Sequence, residues 1–285
     1  FPEVAARLRI MRNLIESSSS TLVFTNTRPM AEILGSRFRL WDLKFPLSVH
    51  HGSLSSFTRV YTERALKARN LKGIVCTSSL ELGIDIGHVE LVIQYNSPRQ
   101  VTRLLQRVGR SGHRIGEVSR GVVVVQDPDD ALESAVIVAK AHAKELEEVK
   151  IPEKPFDVLF HALLSMLVER RVASVGHALK IIKRAYPYRN LTREEILEVL
   201  RFGQSLERRL VRLSGGEFAR AGRAEWIFDY YFGNLSMIPE FKQFLVVDDE
   251  QNRPVGVLDE SFVAEYGEPG VKFVMGGELW RIVQV

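Results

Sequence analysis

In the first half of the chain, short apolar runs alternate with longer stretches whose apolar residues recur at helical spacing. Strands that alternate with helices indicate a parallel sheet covered on both faces. The five predicted strands are Thr21–Phe24, Leu47–His50, Gly73–Cys76, Leu91–Tyr95 and Gly121–Val125. We therefore predict one α/β domain over residues 1–149, in which Val122–Val125 is buried on both faces. Its last predicted helix is capped by Asp127 or Asp129 and runs to about Val149.

The pattern changes after a linker at residues 151–155 that contains two prolines. Three amphipathic stretches then predict helices. They span Phe156–Arg170, Ser174–Arg184 and Thr192–Gly203. Thr192 and Glu195 have the spacing of a capping box, and Leu206–Phe218, interrupted by two glycines, predicts a hairpin. Three helices with a basic hairpin indicate a winged helix, and a plain helical linker domain with solvated charges is the alternative.

From Trp226 onward the chain is rich in aromatic and β-branched residues and predicts strands. Two hairpins are predicted, each from a pair of apolar runs. The pairs are Phe241–Val247 with Pro254–Leu258, and Lys272–Met275 with Leu279–Val285. Because four strands are few for an independent sheet, we expect this region to be the beginning of a larger β-rich domain.

Charge is unevenly distributed along a chain whose net charge is only +4. Residues 170–223 carry thirteen Lys or Arg against five Asp or Glu, whereas residues 224–285 carry four against eleven. A basic segment indicates a partner that carries phosphate groups. The single cysteine, Cys76, lies in an apolar run and is expected to be a buried thiol in a reducing compartment, which favours a cytoplasmic location. No apolar run approaches the ~20 residues of a spanning helix, so no membrane partner is expected.

Four polar segments carry most of the candidate chemistry. They are Thr25–Arg28, His51–Ser53, Thr77–Gly87 and Gln106–Arg114. In a parallel sheet we expect all four at one edge, where open α/β sheets bind ligands. Small hydroxyl residues and glycine suit contacts to a sugar–phosphate backbone, which position a strand without reading its bases. The residues of this kind are Thr25, Gly52, Ser53, Thr77 and Ser78.

Four other residues suit a nucleotide: Gly83, Asp85, Arg107 and Arg110. A carboxylate can accept a ribose hydroxyl, and arginines can meet the γ-phosphate as its charge changes in the transition state. Singly, each has a structural alternative, since Asp85 can cap a turn and Thr77 or Ser78 can cap a helix. His50 and His51 have no Cys or carboxylate at ligand spacing, so no metal site is predicted.

Taken together and in order, these segments resemble a known set of motifs. Phe24–Arg28, His50–Leu54, Thr77–Gly87 and Gln106–His113 resemble motifs IV, IVa, V and VI of superfamily 2 helicases. The sequences Ser-Leu-Glu-Leu-Gly-Ile-Asp and Gln-Arg-Val-Gly-Arg-Ser-Gly-His are most similar to the large helicase-related (Lhr) family. Three later segments also resemble the archaeal members of that family. They are Asn234–Pro239, Gly256–Val263 and Gly276–Trp280.

The resemblance implies an ATP-driven translocase that moves 3′ to 5′ on single-stranded DNA or RNA and unwinds DNA or RNA–DNA duplexes. It implies an α/β fold class with a RecA-like parallel-sheet domain over residues 1–149. A winged-helix domain over 150–228 and the beginning of a β-rich domain over 229–285 would follow. On this interpretation the chain is a fragment that starts at the second RecA-like domain of a longer protein.

The resemblance also implies roles for individual residues. Arg107 and Arg110 are the motif VI arginines, with Arg110 as the arginine finger, and Gln106 lines the same nucleotide site. Gly83 and Asp85 take the motif V nucleotide positions. Nucleic-acid backbone positions fall to Thr25, Arg28, Gly52, Ser53, Thr77 and Ser78.

Two parts of an ATPase do not occur in the sequence. The α/β domain has no Gly-x-x-x-x-Gly-Lys-Thr loop for the phosphates and no Asp-Glu pair after a strand to hold Mg²⁺. The resemblance assigns both to a first RecA-like domain, so ATP with Mg²⁺ is expected for the parent protein and this chain alone is expected to be inactive. A non-catalytic nucleic-acid-binding module is the alternative. A Rossmann dehydrogenase is excluded, because no Gly-x-Gly-x-x-Gly follows the first strand.

Overall fold

The computed structural model describes residues 2–82, 85–112, 118–237 and 242–285. Internal contacts divide the chain into two compact units. The α/β unit comprises residues 1–147 together with 241–285, and the winged-helix unit comprises residues 148–240. None of the helices within the described ranges combines the length and the apolar character that a membrane crossing requires.

A five-stranded parallel sheet forms the centre of the α/β unit, in the strand order β2-β3-β1-β4-β5. The strands are β1 (Thr21–Phe24), β2 (Leu47–His50), β3 (Gly73–Cys76), β4 (Leu91–Tyr95) and β5 (Gly121–Val124). The helices are α1 (Pro2–Glu16), α2 (Arg28–Trp41), α3 (Ser56–Lys67), α4 (Val101–Val108) and α5 (Pro128–Ala143). Leu22 and Phe24 of β1 join one apolar cluster, whereas Val23 joins a second that includes Ile15 and Leu34 of the helices. Both faces of the sheet are therefore buried, which confirms the predicted parallel α/β architecture.

The end of this architecture differs from its prediction in two places. Strand β5 lies at the edge of the sheet, with Gly121 exposed and Val122 and Val123 half-buried, so the prediction of a strand buried on both faces is wrong. An apolar run in the sequence shows that a strand can be buried. How far it is buried depends on its position in the strand order and on the elements that cover it. Helix α5 is capped by Asp127 but ends at Ala143, before a left-handed Lys144, rather than near residue 149.

Over its described residues, the winged-helix unit contains four α-helices and a three-stranded antiparallel sheet, in the order β6-β8-β7. Its elements are α6 (Phe156–Glu169), β6 (Val172–Ser174), α7 (Val175–Ile182), α8 (Arg193–Ser205), β7 (Val211–Ser214), β8 (Glu217–Arg220) and α9 (Ala224–Gly233). Thr192 and Glu195 form the predicted capping box of α8. Gly215 and Gly216 both have positive φ angles, as a tight hairpin turn requires. These features confirm the predicted winged helix.

Helix α9 occupies a region that the aromatic composition predicted as strand, and that prediction is wrong. Trp226, Ile227 and Tyr230 lie at helical spacing and pack against the apolar core of the winged-helix unit. Burial of one helix face outweighs the weak intrinsic preference of aromatic residues for strands.

Two antiparallel hairpins complete the α/β unit. They are formed by β9 (Gln243–Asp248) with β10 (Arg253–Asp259), and by β11 (Lys272–Met275) with β12 (Glu278–Arg281). Helix α10 (Glu260–Tyr266), which the sequence pattern did not indicate, lies between them. Met275, Val246 and Trp280 pack into the same apolar cluster as Val23 and Leu34. Each hairpin is thus stabilised by the core of the α/β unit, which explains how two-stranded sheets persist here.

Candidate nucleotide and nucleic-acid site

The segments after β1, β2 and β3 meet at the carboxyl edge of the sheet, as predicted for parallel strands. Their candidate phosphate-binding residues differ in accessibility. Arg28, Gly52 and Ser78 are exposed. Thr25, Ser53 and Thr77 have exposed fractions of 0%, 5% and 7%. The hydroxyl of Thr25 donates to the carbonyl of Thr27 at 3.0 Å, so this side chain holds its own turn.

Arg107 is almost completely buried, with 1% of its surface exposed. Its Nε donates to Oε1 of Glu81 at 2.6 Å, and its Nη1 donates to Oε1 of Gln94 at 2.7 Å and to Oδ1 of Asn26 at 3.0 Å. The guanidinium also lies over the ring of Phe24, 5.3 Å from its centroid. Burial lowers the pKa of Arg107, and the hydrogen bond that Arg107 donates to Glu81 opposes that shift. Arg107 therefore ties α4 to β1, β4 and the segment after β3.

Arg110 lies beside the same residue. It is half-buried, and its Nε donates to the backbone carbonyl of Glu81 at 2.8 Å. Glu81 thus binds Arg107 through its carboxylate and Arg110 through its carbonyl. We call this arrangement of Glu81, Arg107 and Arg110 the Glu81 junction.

Sequence reasoning missed Glu81, Asn26 and Gln94 as functional residues. Gln94 carried a usable signal, since it is the one amide in the apolar strand β4, and a buried amide needs partners. It donates to the carbonyls of Tyr95 and Asn96 while its own oxygen accepts from Arg107. Glu81 carried no such signal, because its partner is 26 residues away in the chain.

The predicted nucleotide residues outside the junction are more open. Gln106 is exposed on α4, and Asp85 is exposed after β3. Asp85 accepts from Nζ of Lys67 at 2.8 Å and from the backbone N–H of Gly87 at 3.1 Å, so it does cap a turn. The hydrogen bond from Lys67 lowers the pKa of this carboxyl. Gly83, the other predicted motif V residue, lies outside the described residues.

The Gln106–Arg114 segment does not lie wholly at the carboxyl edge, so that part of the prediction is wrong. It follows a helix rather than a strand, and its backbone runs to the opposite edge. The N–H of Gly112 donates to the carbonyl of Val89 at 3.2 Å, and the hydroxyl of Ser111 donates to that of Arg120 at 3.0 Å. Val89 and Arg120 precede β4 and β5. Residues 113 and 114 lie outside the described residues.

Glu147 fixes the amino end of α4, the helix that presents Gln106 and Arg107. Its carboxylate accepts hydrogen bonds from the N–H groups of Val101 and Thr102 and from the hydroxyl of Thr102. An anion at this end also favours the helix dipole. The hydroxyl and backbone donors lower the pKa of Glu147 to about 2.

Both histidines of the second segment are buried and bonded to carboxylates. His50 contacts Oε1 of Glu63 at 2.9 Å and the hydroxyl of Ser79 at 2.8 Å, and burial lowers its pKa. His51 contacts Oε1 of Glu32 at 2.6 Å. Over the described part of the chain, no group of three or more His, Cys, Asp or Glu side chains could hold a metal ion.

Comparison with known proteins assigns this arrangement to a family. Residues 6–116 match the helicase conserved C-terminal domain, and residues 139–285 match the winged helix domain of the large helicase-related protein. The chain belongs to the large helicase-related (Lhr) family. The matched Lhr winged-helix region extends to residue 285, so it includes both terminal hairpins even though these pack within the α/β unit.

Similar Lhr proteins come from archaea and bacteria. The chain is 39% identical to "ATP-dependent helicase Lhr-Core protein 2" of Thermococcus barophilus, covering 94% of this chain and 32% of that protein. It is 37% identical to "ATP-dependent helicase Lhr-Core" of Methanothermobacter thermautotrophicus, over 95% and 32%. A structure of Mycobacterium smegmatis helicase Lhr bound to ssDNA and AMP-PNP matches with a TM-score of 0.72 and 29% identity, covering 92% of this chain and 35% of that one. The chain thus spans about a third of the length of these relatives.

Proposed function

We propose that this chain is the second RecA-like domain and winged helix of an ATP-dependent helicase. The observation that carries the proposal is the Glu81 junction, which brings the motif V and motif VI segments together. A first RecA-like domain of the parent protein would supply the phosphate loop and the Mg²⁺ ligands. This chain alone would then be inactive.

In this proposal the two arginines have different roles. Arg110 contacts the γ-phosphate of ATP, where an arginine stabilises charge that develops in the transition state. Arg107 acts as a positioning residue, because its guanidinium is enclosed by Glu81, Gln94 and Asn26. Three of its N–H groups already donate in this arrangement and only 1% of its surface is exposed, which argues against the direct nucleotide contact expected for Arg107. Gln106, Asp85 and Gly83 remain proposed nucleotide contacts.

The carboxyl edge of the sheet is the proposed path of the tracked strand. Arg28, Gly52 and Ser78 are exposed and can meet phosphate or sugar oxygens directly. Thr25, Ser53 and Thr77 remain proposed contacts, but their low exposure limits them to a supporting role in this conformation. The basic residues of the winged helix add a sequence-independent attraction. An Lhr relative of known structure is described as bound to ssDNA and AMP-PNP, which supports this assignment.

We further propose 3′ to 5′ movement on DNA or RNA and unwinding of DNA or RNA–DNA duplexes. The test is strand displacement by the full-length protein with ATP and Mg²⁺, on duplexes that carry a 3′ or a 5′ single-stranded tail. We expect displacement only with the 3′ tail, and its loss in Arg110→Ala. Arg120→Ala is the matched control, because Arg120 precedes β5 at the other edge and is exposed beside Glu90.

Displacement by Arg110→Ala at the wild-type rate would contradict the proposal. If neither protein displaces a strand or hydrolyses ATP but both bind single strands, the non-catalytic binding module becomes the better interpretation.

A further inference from the structure

We propose that the two C-terminal hairpins position the loop at residues 51–55 for contact with the tracked strand, through the buried carboxylate of Glu32. The proposal rests on the proposed function, because it concerns how one of the proposed backbone-contact loops is held. Glu32 is a positioning residue in this inference, since it reaches the strand only through the loop. The hairpins lie about two hundred residues after this loop in the sequence.

Glu32 on α2 is 6% exposed and accepts three hydrogen bonds. The donors are Nε2 of His51 at 2.6 Å and the backbone N–H groups of Gly276 and Gly277 at 2.7 and 2.6 Å. The N–H of Ser53 donates to Nδ1 of His51 at 3.3 Å, which assigns the ring proton to Nε2. Hydrogen bonds to a charged acceptor are about twice as strong as neutral ones. One carboxylate therefore joins the loop to the turn between β11 and β12.

The turn is shaped for this acceptor. Gly276 and Gly277 have φ angles of +66° and +75°, which only glycine adopts without strain. Consecutive residues in such a conformation point successive N–H groups toward the same side, as anion-binding concavities require. The anion here is the side chain of Glu32.

The other hairpin holds the loop by its backbone. The N–H of Ser55 donates to the carbonyl of Val255 at 3.0 Å, and the N–H of Val257 donates to the carbonyl of Ser53 at 2.7 Å. Leu54 and Gly256 form an antiparallel bridge, so the loop is held along β10 by its backbone. A Cβ atom at Gly256 would lie 2.4 Å from the carbonyl oxygen of Ser53, so the approach requires glycine.

This anchoring leaves Gly52 accessible to the nucleic-acid strand. It is exposed, and nothing lies within 4 Å of the place where its side chain would be. The residues on both sides of it are held by hydrogen bonds. The ring of His51 is bonded to Glu32, and the carbonyl of Ser53 is bonded to the N–H of Val257. A phosphate oxygen can therefore approach the Gly52 backbone of a loop that is already ordered. Binding then loses no conformational entropy of the loop.

The test compares Glu32→Gln with Glu278→Gln in the full-length protein. Gln keeps the shape of Glu32 but replaces one acceptor oxygen with an NH₂ group. Glu278 adjoins the same turn and pairs with Arg39 of α2 at 2.7 Å, and both of these side chains are about half exposed. Each variant therefore removes one contact between α2 and the β11–β12 hairpin.

We expect amide hydrogen exchange at Ser53 and Ser55 to be at least about tenfold faster in Glu32→Gln and unchanged in Glu278→Gln. In nucleic-acid-stimulated ATP hydrolysis, the concentration of single strand giving half-maximal rate should rise by about tenfold in Glu32→Gln, while kcat at saturating strand is kept. If Glu32 only stabilised the fold, the substitution would lower Tm without raising the half-saturating strand concentration at constant kcat.

Wild-type exchange at Ser53 and Ser55 in Glu32→Gln would overturn the inference, and so would faster exchange with an unchanged half-saturating concentration. Failure of the wild-type protein to bind any strand would count against the proposed function instead. In that case the exchange comparison would still decide whether Glu32 holds the loop.

Discussion

The two units of the molecule bury different kinds of side chain. Over the described ranges, every buried polar or charged side chain lies in the α/β unit, including Arg107, Glu81, Glu32 and His51. The core of the winged-helix unit is one apolar cluster built around α6. Its charges lie on the surface, with exposed arginines at positions 201, 208, 209 and 212.

This difference indicates where each unit carries its proposed function. A buried polar group is costly unless it is fully bonded, so a network of such groups fixes one geometry. The α/β unit uses its interior in this way to place Arg110 and Gly52. In the proposed function, the winged-helix unit needs only a stable core, because surface charge attracts a phosphate backbone without fine positioning. Changes inside the first unit should therefore be far more damaging than changes on the surface of the second.

The largest effect should come from Glu81→Gln. This variant leaves the guanidinium of Arg107 buried without its counter-charge, and breaking a buried pair from one side costs roughly 3–5 kcal/mol of unfolding free energy. Chemical denaturation of the full-length protein measures the cost. Glu133→Gln is the control, because its pair with Arg99 is exposed and should contribute at most about 1 kcal/mol.

The double variant Glu81→Leu with Arg107→Leu sharpens this prediction. Removing both charges together should restore part of the lost stability, because apolar replacements of a buried pair are often neutral. The recovery should be incomplete, because the side-chain oxygens of Gln94 and Asn26 lose the donor that Arg107 supplied. Equal losses in Glu81→Gln and Glu133→Gln would contradict the view that the interior of the α/β unit depends on this pair.

A smaller effect, on binding alone, is expected from Arg208→Ala with Arg209→Ala in the winged-helix unit. Each lost phosphate contact should reduce the salt slope of single-strand affinity by about 0.7. The unfolding free energy should stay the same, because both side chains are exposed. Arg253→Ala, in the acidic C-terminal segment, is the control and should leave the salt slope unchanged. An equal change in both would argue against the winged helix as the basic surface.

The smallest effect is expected at Glu147, and it should depend on pH. The folded-state pKa of about 2 lies below the ordinary value of 4.5, so the capping contribution is present above the ordinary value and is lost as pH falls toward 2. The Tm difference between wild type and Glu147→Gln should therefore shrink between about pH 5 and about pH 2. A difference that stays constant over this range would show that the carboxylate charge is not what caps α4.

Much of the fold follows from local pattern. The predicted and observed bounds of Leu47–His50 and Lys272–Met275 coincide, because each is a short apolar run next to a proline or glycine that bounds it in the sequence. Helix α9 and the edge position of β5 could not be predicted in this way. Both depend on which other elements cover them, and that is decided by tertiary packing.

The residues of the candidate site also fall into those that the local sequence pattern predicts and those that depend on tertiary packing. Arg107 and Arg110 could be found because they stand in a short glycine-containing motif. Their partner Glu81 could not, and neither could Glu32, whose bonded glycines are more than two hundred residues away. Local pattern therefore identified groups that can act on a ligand, while the residues that position them became visible only in the folded chain.

The most direct test of the central claim is single-turnover ATP hydrolysis by the full-length protein with saturating single strand. We predict that Arg110→Ala slows the chemical step by about 10³-fold or more, while its strand affinity matches that of Arg120→Ala. A chemical step within about tenfold of wild type would contradict the account, because removal of an arginine that contacts the γ-phosphate in the transition state should slow the reaction far more.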